Sequence, residues 1–228
     1  MYILVIILLI FIIFIYFENT ENYSASNNDN VNIFTSIYKN NEWGKDISND
    51  FKGSSGPGSS YELNKNEYIP FLKEFIKNNN IRSVADLGCG DWQFSKYIYP
   101  ELRNIRYDGY DAYEEVINSN RKKYPQFNFH HLDFIKNKEN IASADLCILR
   151  EVLQHWCNRD IISLLTYCID TRKFRYILIC NCCKNFEKKD ISNGDFRTLT
   201  AEKYPLNIFQ PEILFHYDSD TKEVSLIS

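Results

Sequence analysis

Residues 82–93 constrain this 228-residue chain more than any other stretch. The apolar run Val84 to Leu87 is rich in β-formers, it ends in Gly88-Cys89-Gly90, and the pattern predicts a helix from about Trp92. Strand, glycine turn and helix together let a ligand approach bare backbone and face a helix N-terminus. Asp86 stands at the end of the strand, with its side chain near the turn. A dinucleotide-binding turn wants Gly-x-Gly-x-x-Gly, because the third glycine lets helix and strand pack closely at the pyrophosphate. Gln93 takes that third position, which counts against a nicotinamide-dependent oxidoreductase.

At 44% hydrophobic residues the chain can bury the core of one ordinary domain. A net charge of −4 argues against a surface built to grip nucleic-acid phosphates. The seven cysteines are odd in number and sit mostly in apolar stretches, which suggests a reducing compartment rather than a disulfide scaffold. Cys180 and Cys183 form a C-x-x-C, but strand residues alternate faces and no second pair stands at zinc spacing, so no metal site is predicted. Residues 1–17 are uninterrupted apolar and aromatic residues, a run at the short end of the membrane-spanning range. They predict an uncleaved transmembrane anchor, followed by a flexible Asn-rich tether over 18–32 and a domain over 33–228. The chain is thereby expected to be a single-pass membrane protein whose domain faces the cytosol.

Along the domain, Ile33, Phe34, Ile37 and Tyr38 share one helical face. Gly53 to Ser60, rich in glycine and serine, reads either as a flexible linker or as a loop folded over a pocket. A helix follows over 64–79, with Tyr68, Phe71, Leu72, Phe75 and Ile76 on its inward stripe. The apparent helix from Gln93 to Tyr99 stops at Pro100. Further strands are predicted over 105–110, 127–132, 144–149 and 174–180, with helices over 112–124 and from Asn158. A final hairpin joins 213–217 to 222–227. Asp111 lies about 20 residues past the glycine turn, where an acid meets a ribose hydroxyl pair. It also reads as a helix N-cap, since Asp111-x-x-Glu114 has the form of a capping box. His130 and His131 are adjacent on a strand, point opposite ways and cannot share a metal. His155 is the histidine placed at the carboxyl end of the fourth strand, with the ordinary acidity of a neutral-pH proton acceptor.

Val84 to Gly90 resembles the first motif of the class I S-adenosylmethionine-dependent methyltransferases, (V/L)-x-D-x-G-C-G. Arg150 to Trp156 resembles their segment after the fourth strand. Trp43 followed by Ser-Gly-x-Gly-Ser resembles an upstream loop of one subgroup, and Gly194 to Arg197 resembles a segment beyond its fifth strand. The resemblance implies a doubly wound α/β fold, a mostly parallel seven-stranded Rossmann-like sheet closed by an antiparallel hairpin. It implies S-adenosylmethionine as cofactor, with Gly88 and Gly90 against its methionine half, Asp111 on the ribose, and Asp133 and Phe134 on the adenine. Asp86, Cys89, Trp92 and Arg150 complete the expected cofactor set. Trp43, Ser55, Trp156 and Arg197 are expected on the acceptor side, and His155 as general base. The acceptor is expected to be a small molecule or a membrane-associated substrate, the protein a monomer, and nucleic acid no partner. A non-catalytic scaffold keeping the same fold is the alternative from another class.

Overall fold

The computed structural model describes residues 30–45, 50–102 and 104–228. Seven strands form one sheet in the order β3-β2-β1-β4-β5-β7-β6. They are β1 (Ser83–Leu87), β2 (Arg106–Asp111), β3 (Asn128–His131), β4 (Ala144–Arg150), β5 (Phe174–Cys182), β6 (Glu212–Tyr217) and β7 (Lys222–Ile227). The first five run parallel. β7 inserts antiparallel between β5 and β6. Four helices carry most of the remaining order: α1 (Asn30–Lys39), α2 (Tyr68–Asn78), α3 (Glu114–Lys123) and α4 (Asn158–Asp170).

The strands are apolar along their length because both sheet faces are covered. Side chains alternate between two cores. Val84, Leu146, Ile148 and Leu178 point to the face that holds Leu72 and Ile76 of α2 and Val116 and Ile117 of α3. Ala85, Leu87, Cys147, Leu149 and Ile179 point to the other, with Ile161, Leu164, Leu165 and Cys168 of α4. Each fully buried aliphatic side chain contributes roughly 1.5–3 kcal/mol. The chain order reverses between β1 and β4, which opens a crevice at their carboxyl ends.

Three expectations need correction. The single-pass membrane reading rested on residues 1–17, which lie outside the described residues. Among the described residues no helix is long and apolar enough to cross a membrane. The longest, α4 with 13 residues, spans about 20 Å against a hydrocarbon core of about 30 Å, and it is amphipathic. The anchor therefore drops out of the fold description and of the localisation. Secondly, no α-helix follows the glycine turn. Trp92 adopts a left-handed backbone (φ 59°), and only 3₁₀ turns follow, at Ser95–Tyr97 and Tyr99–Glu101. That backbone drives the Trp92 indole into an aromatic cluster with Tyr99, Tyr107, Tyr124, Phe127 and Phe129. Thirdly, α1 begins by Asn30, inside the stretch read as tether.

Candidate active site

A cavity of about 600 Å³ opens at the carboxyl ends of β1, β2 and β4. Its floor is the glycine turn. Gly88 (φ 82°) and Gly90 (φ 55°) hold left-handed backbones, and a Cβ would overlap Val152 Cγ2 at the first and Ser55 Oγ at the second. The turn is fixed from the β2 side: Tyr110 O accepts hydrogen bonds from the N–H groups of Gly88 (2.8 Å) and Cys89 (3.0 Å).

Asp111 is no capping box. Its Oδ2 accepts from Gly90 N–H (3.0 Å) and its Oδ1 from Tyr113 N–H (3.0 Å), so the carboxylate bridges the glycine turn to the start of α3. Asp86 accepts a 2.7 Å bond from the Tyr107 hydroxyl, which itself accepts from Trp92 Nε1 (2.8 Å). Burial pushes both carboxyls from 3.8 up to about 6, against the pull of Tyr107 on Asp86 and of the Tyr113 and Gly90 N–H groups on Asp111. The native chain therefore takes up extra protons between about pH 4 and pH 6. Stability from these groups is greatest below the unfolded value and is lost as pH rises through the folded one. Ligand donors favour the charged carboxylates, so affinity for S-adenosylhomocysteine is expected to rise as pH passes up through about 6. Titrations at about pH 5 and pH 7.5 check this, and equal affinities at both would refute it.

Asp133 Oδ1 is committed to the N–H groups of Ile135 (3.1 Å) and Lys136 (3.2 Å) and to Asn30 Nδ2 (3.4 Å). Its Oδ2 is buried with no hydrogen-bond partner among the described residues. Phe134 and Trp156 line the cavity beside it, their rings 5.2 Å apart. The loop over 53–60 is ordered structure, not a linker. Ser55 and Asp91 exchange bonds, Ser55 N–H to Asp91 Oδ2 (3.1 Å) and Asp91 N–H to Ser55 Oγ (2.8 Å), while Tyr38 OH lies 2.8 Å from the same hydroxyl.

Arg150 lies on the wall, its guanidinium 4.7 Å from the Phe94 ring and 5.1 Å from the Tyr68 ring. Its Nη2 donates to Gly58 O (2.7 Å), Asn64 Oδ1 (2.9 Å) and the Tyr217 hydroxyl (3.3 Å). The His155 ring stands between Trp43 (5.0 Å) and Phe196 (5.8 Å). Its Nδ1 donates to Asp195 O (2.9 Å), leaving a lone pair on Nε2, and burial lowers the imidazole's pKa from its ordinary value and so keeps it neutral.

The cavity thus gathers Asp86, Gly88, Cys89, Gly90, Asp111, Asp133, Phe134 and Arg150 from the expected cofactor set, and Trp43, Ser55, Trp156 and His155 from the acceptor side. Two expected residues are elsewhere. Trp92 is buried in the core. Arg197 is also buried, its guanidinium donating to Lys189 O and Trp156 O (both 2.8 Å), so it clamps its loop and does not line the cavity. Sequence reasoning gave no role to Asn30, Phe34, Tyr38, Glu151 or Lys222, which also line the cavity. Tyr38 was on the predicted α1 face and Glu151 beside Arg150, whereas Lys222 carries no local signal.

A parallel five-stranded half and an antiparallel closing pair, with an acid-lined glycine turn at the switch point, make up the class I methyltransferase fold. A family model described as a methyltransferase domain matches residues 85–170. Magnesium protoporphyrin IX methyltransferase from Synechocystis PCC 6803, solved with bound S-adenosylmethionine, superposes with TM-score 0.58 at 10% identity, covering 89% of this chain and 98% of that one. The methyltransferase domain of bacterial CtHen1-C gives 0.57 at 12% identity, covering 72% and 97%. Human N-acetylserotonin methyltransferase, also solved with S-adenosylmethionine, gives 0.49 at 17% identity over 70% of this chain, which spans about half (54%) of that protein's length. No curated protein matches the sequence.

Proposed function

We propose that the domain transfers a methyl group from S-adenosylmethionine to a small-molecule acceptor. The observation that carries this reading is Asp133 Oδ2, buried without a partner among the described residues, in the same cavity as the bridging Asp111 carboxylate and the Gly88–Gly90 backbone. These are the groups to receive an adenine amino donor, ribose hydroxyl donors and a flush ligand chain. Bound there, the cofactor supplies a methyl group on a sulfonium sulfur. The protein's part is to position donor and acceptor and to exclude water. His155 takes the acceptor's proton: Nδ1–H is anchored on Asp195 O, and neutral Nε2 is the basic atom. Trp43 and Phe196 flank its ring and shape the acceptor's approach.

Calorimetry with S-adenosylmethionine tests the cofactor, and an acceptor screen scored by release of S-adenosylhomocysteine tests transfer. His155→Ala is expected to lower kcat by about 10²–10⁴-fold while leaving cofactor affinity intact, the range for loss of a general base. An unchanged kcat would remove His155 from the chemistry, and no binding to the folded chain would sink the reading.

A further inference from the structure

Asn193 is buried and stands outside the cavity lining, yet its side chain touches three separate parts of the fold. Its Oδ1 accepts the N–H of Cys157, the N-cap residue of α4 (2.8 Å). Its Nδ2 donates to Asp160 Oδ2 in the first turn of α4 (2.6 Å) and to Asn30 Oδ1 at the start of α1 (2.8 Å). The surroundings fix the amide's orientation, because turning it over would set N–H against N–H at Cys157 and oxygen against oxygen at the other two contacts. All three contacts need one acceptor and two donors on a short side chain. Neither a hydroxyl nor a carboxylate supplies them.

Two arms of the site end on this amide. On one side Asn193 pins Cys157 while the next two residues hold His155: Gly194 N–H donates to His155 O (2.9 Å), and Asp195 O accepts from His155 Nδ1 (2.9 Å). The same segment is seated on α1, since a Cβ on Gly194 would overlap Ile33 Cγ2. On the other side Asn30 Nδ2 donates to Asp133 Oδ1 (3.4 Å). Asn30, Asp133 and Asp160 are all buried, so bulk water does not replace a lost partner. A residue that only capped α4 would need Cys157 and Asp160. The contact with Asn30, 163 positions away in the chain, is the one that a cap does not require.

We propose that Asn193 is a positioning residue that sets His155 from the oxygen end of its amide and, through Asn30, sets Asp133 from the nitrogen end. This rests on the roles given to His155 and Asp133 in the methyltransferase reading. One side chain thereby aligns the proton acceptor with the group that receives the adenine amino donor.

The test uses the full chain and two readouts: imidazole ¹⁵N spectra, which report the His155 tautomer without any ligand, and calorimetry with S-adenosylhomocysteine. The chain has four histidines, and His155→Gln assigns the signal. Wild type is expected to show one tautomer, protonated on Nδ1. Asn193→Ala is expected to mix the tautomers and to weaken S-adenosylhomocysteine about 3–10-fold, the scale of a lost neutral hydrogen bond. Asn193→Asp keeps the acceptor for Cys157 N–H and loses both donors, so it is expected to restore the single tautomer and not the affinity. Asn30→Ala is expected to do the same. A merely structural role moves both readouts together in every variant, and that result overturns the proposal, as does a wild-type tautomer in Asn193→Ala. Should Asn193→Ala fail to fold, Asn193→Asp and Asn30→Ala carry the test, because the split between tautomer and affinity is still required of them. Failure of S-adenosylhomocysteine to bind folded wild type overturns the methyltransferase reading, whereas the tautomer readout stands apart from it.

Discussion

Arg150→Ala is expected to destabilise the domain by about 3–5 kcal/mol, the cost of breaking a buried charged network by removing one partner. Typical domains have only about 5–15 kcal/mol in total. The alanine strips one donor set from Gly58 O, Asn64 Oδ1 and the Tyr217 hydroxyl, and removes the cation stacked between Phe94 and Tyr68. It also leaves Glu151 with Lys222 as its one remaining cation among the described residues. Denaturant unfolding measures the change. A loss under about 1 kcal/mol would mean that Arg150 serves ligand binding and not the framework.

Asp111→Ala is expected to weaken cofactor binding at least about 100-fold, from two lost ribose hydrogen bonds to a charged acceptor at about 1.5–3 kcal/mol each. The same change frees the N–H groups of Gly90 and Tyr113, so the glycine turn loses its brace as well as its ligand. Asp111→Asn separates the two effects, because its amide oxygen can still accept from one N–H. Calorimetry with S-adenosylhomocysteine gives the affinities, and thermal melts report the brace. Wild-type affinity in Asp111→Ala would show that the ribose lies elsewhere.

The fold was legible because its signals are local and repeated. Val84 to Leu87 before Gly88, and Ala144 to Leu149 before Arg150, read as strands from their apolar runs, while their parallel pairing came from the family resemblance. Asp111 was legible by spacing from the glycine turn, although its two backbone partners were not, since a capping box and a bridging carboxylate share one sequence pattern. Trp92 misled because a left-handed backbone at a tryptophan leaves no trace in sequence, and it turns the indole into the core. Arg197 misled because an arginine buried on backbone carbonyls looks in sequence like one facing solvent. Lys222 was invisible for a topological reason: β7 inserts between β5 and β6, and only that pairing carries its first residue to the cavity. The membrane reading drew on residues 1–17, a stretch about which the described fold is silent.

The imidazole of His155 is oriented by a main-chain carbonyl, that of Asp195. Every amino acid offers that acceptor, so point substitution at position 195 cannot delete it. Genetic drift there is buffered so long as the segment keeps its path, which is held by Gly194 N–H on His155 O and Arg197 N–H on Gln154 O. Insertions or deletions between positions 193 and 197 have no such buffer. Tolerance at position 195 is thus set by loop length and not by residue identity, and a survey of variants should find substitutions common at that position and length changes around it rare.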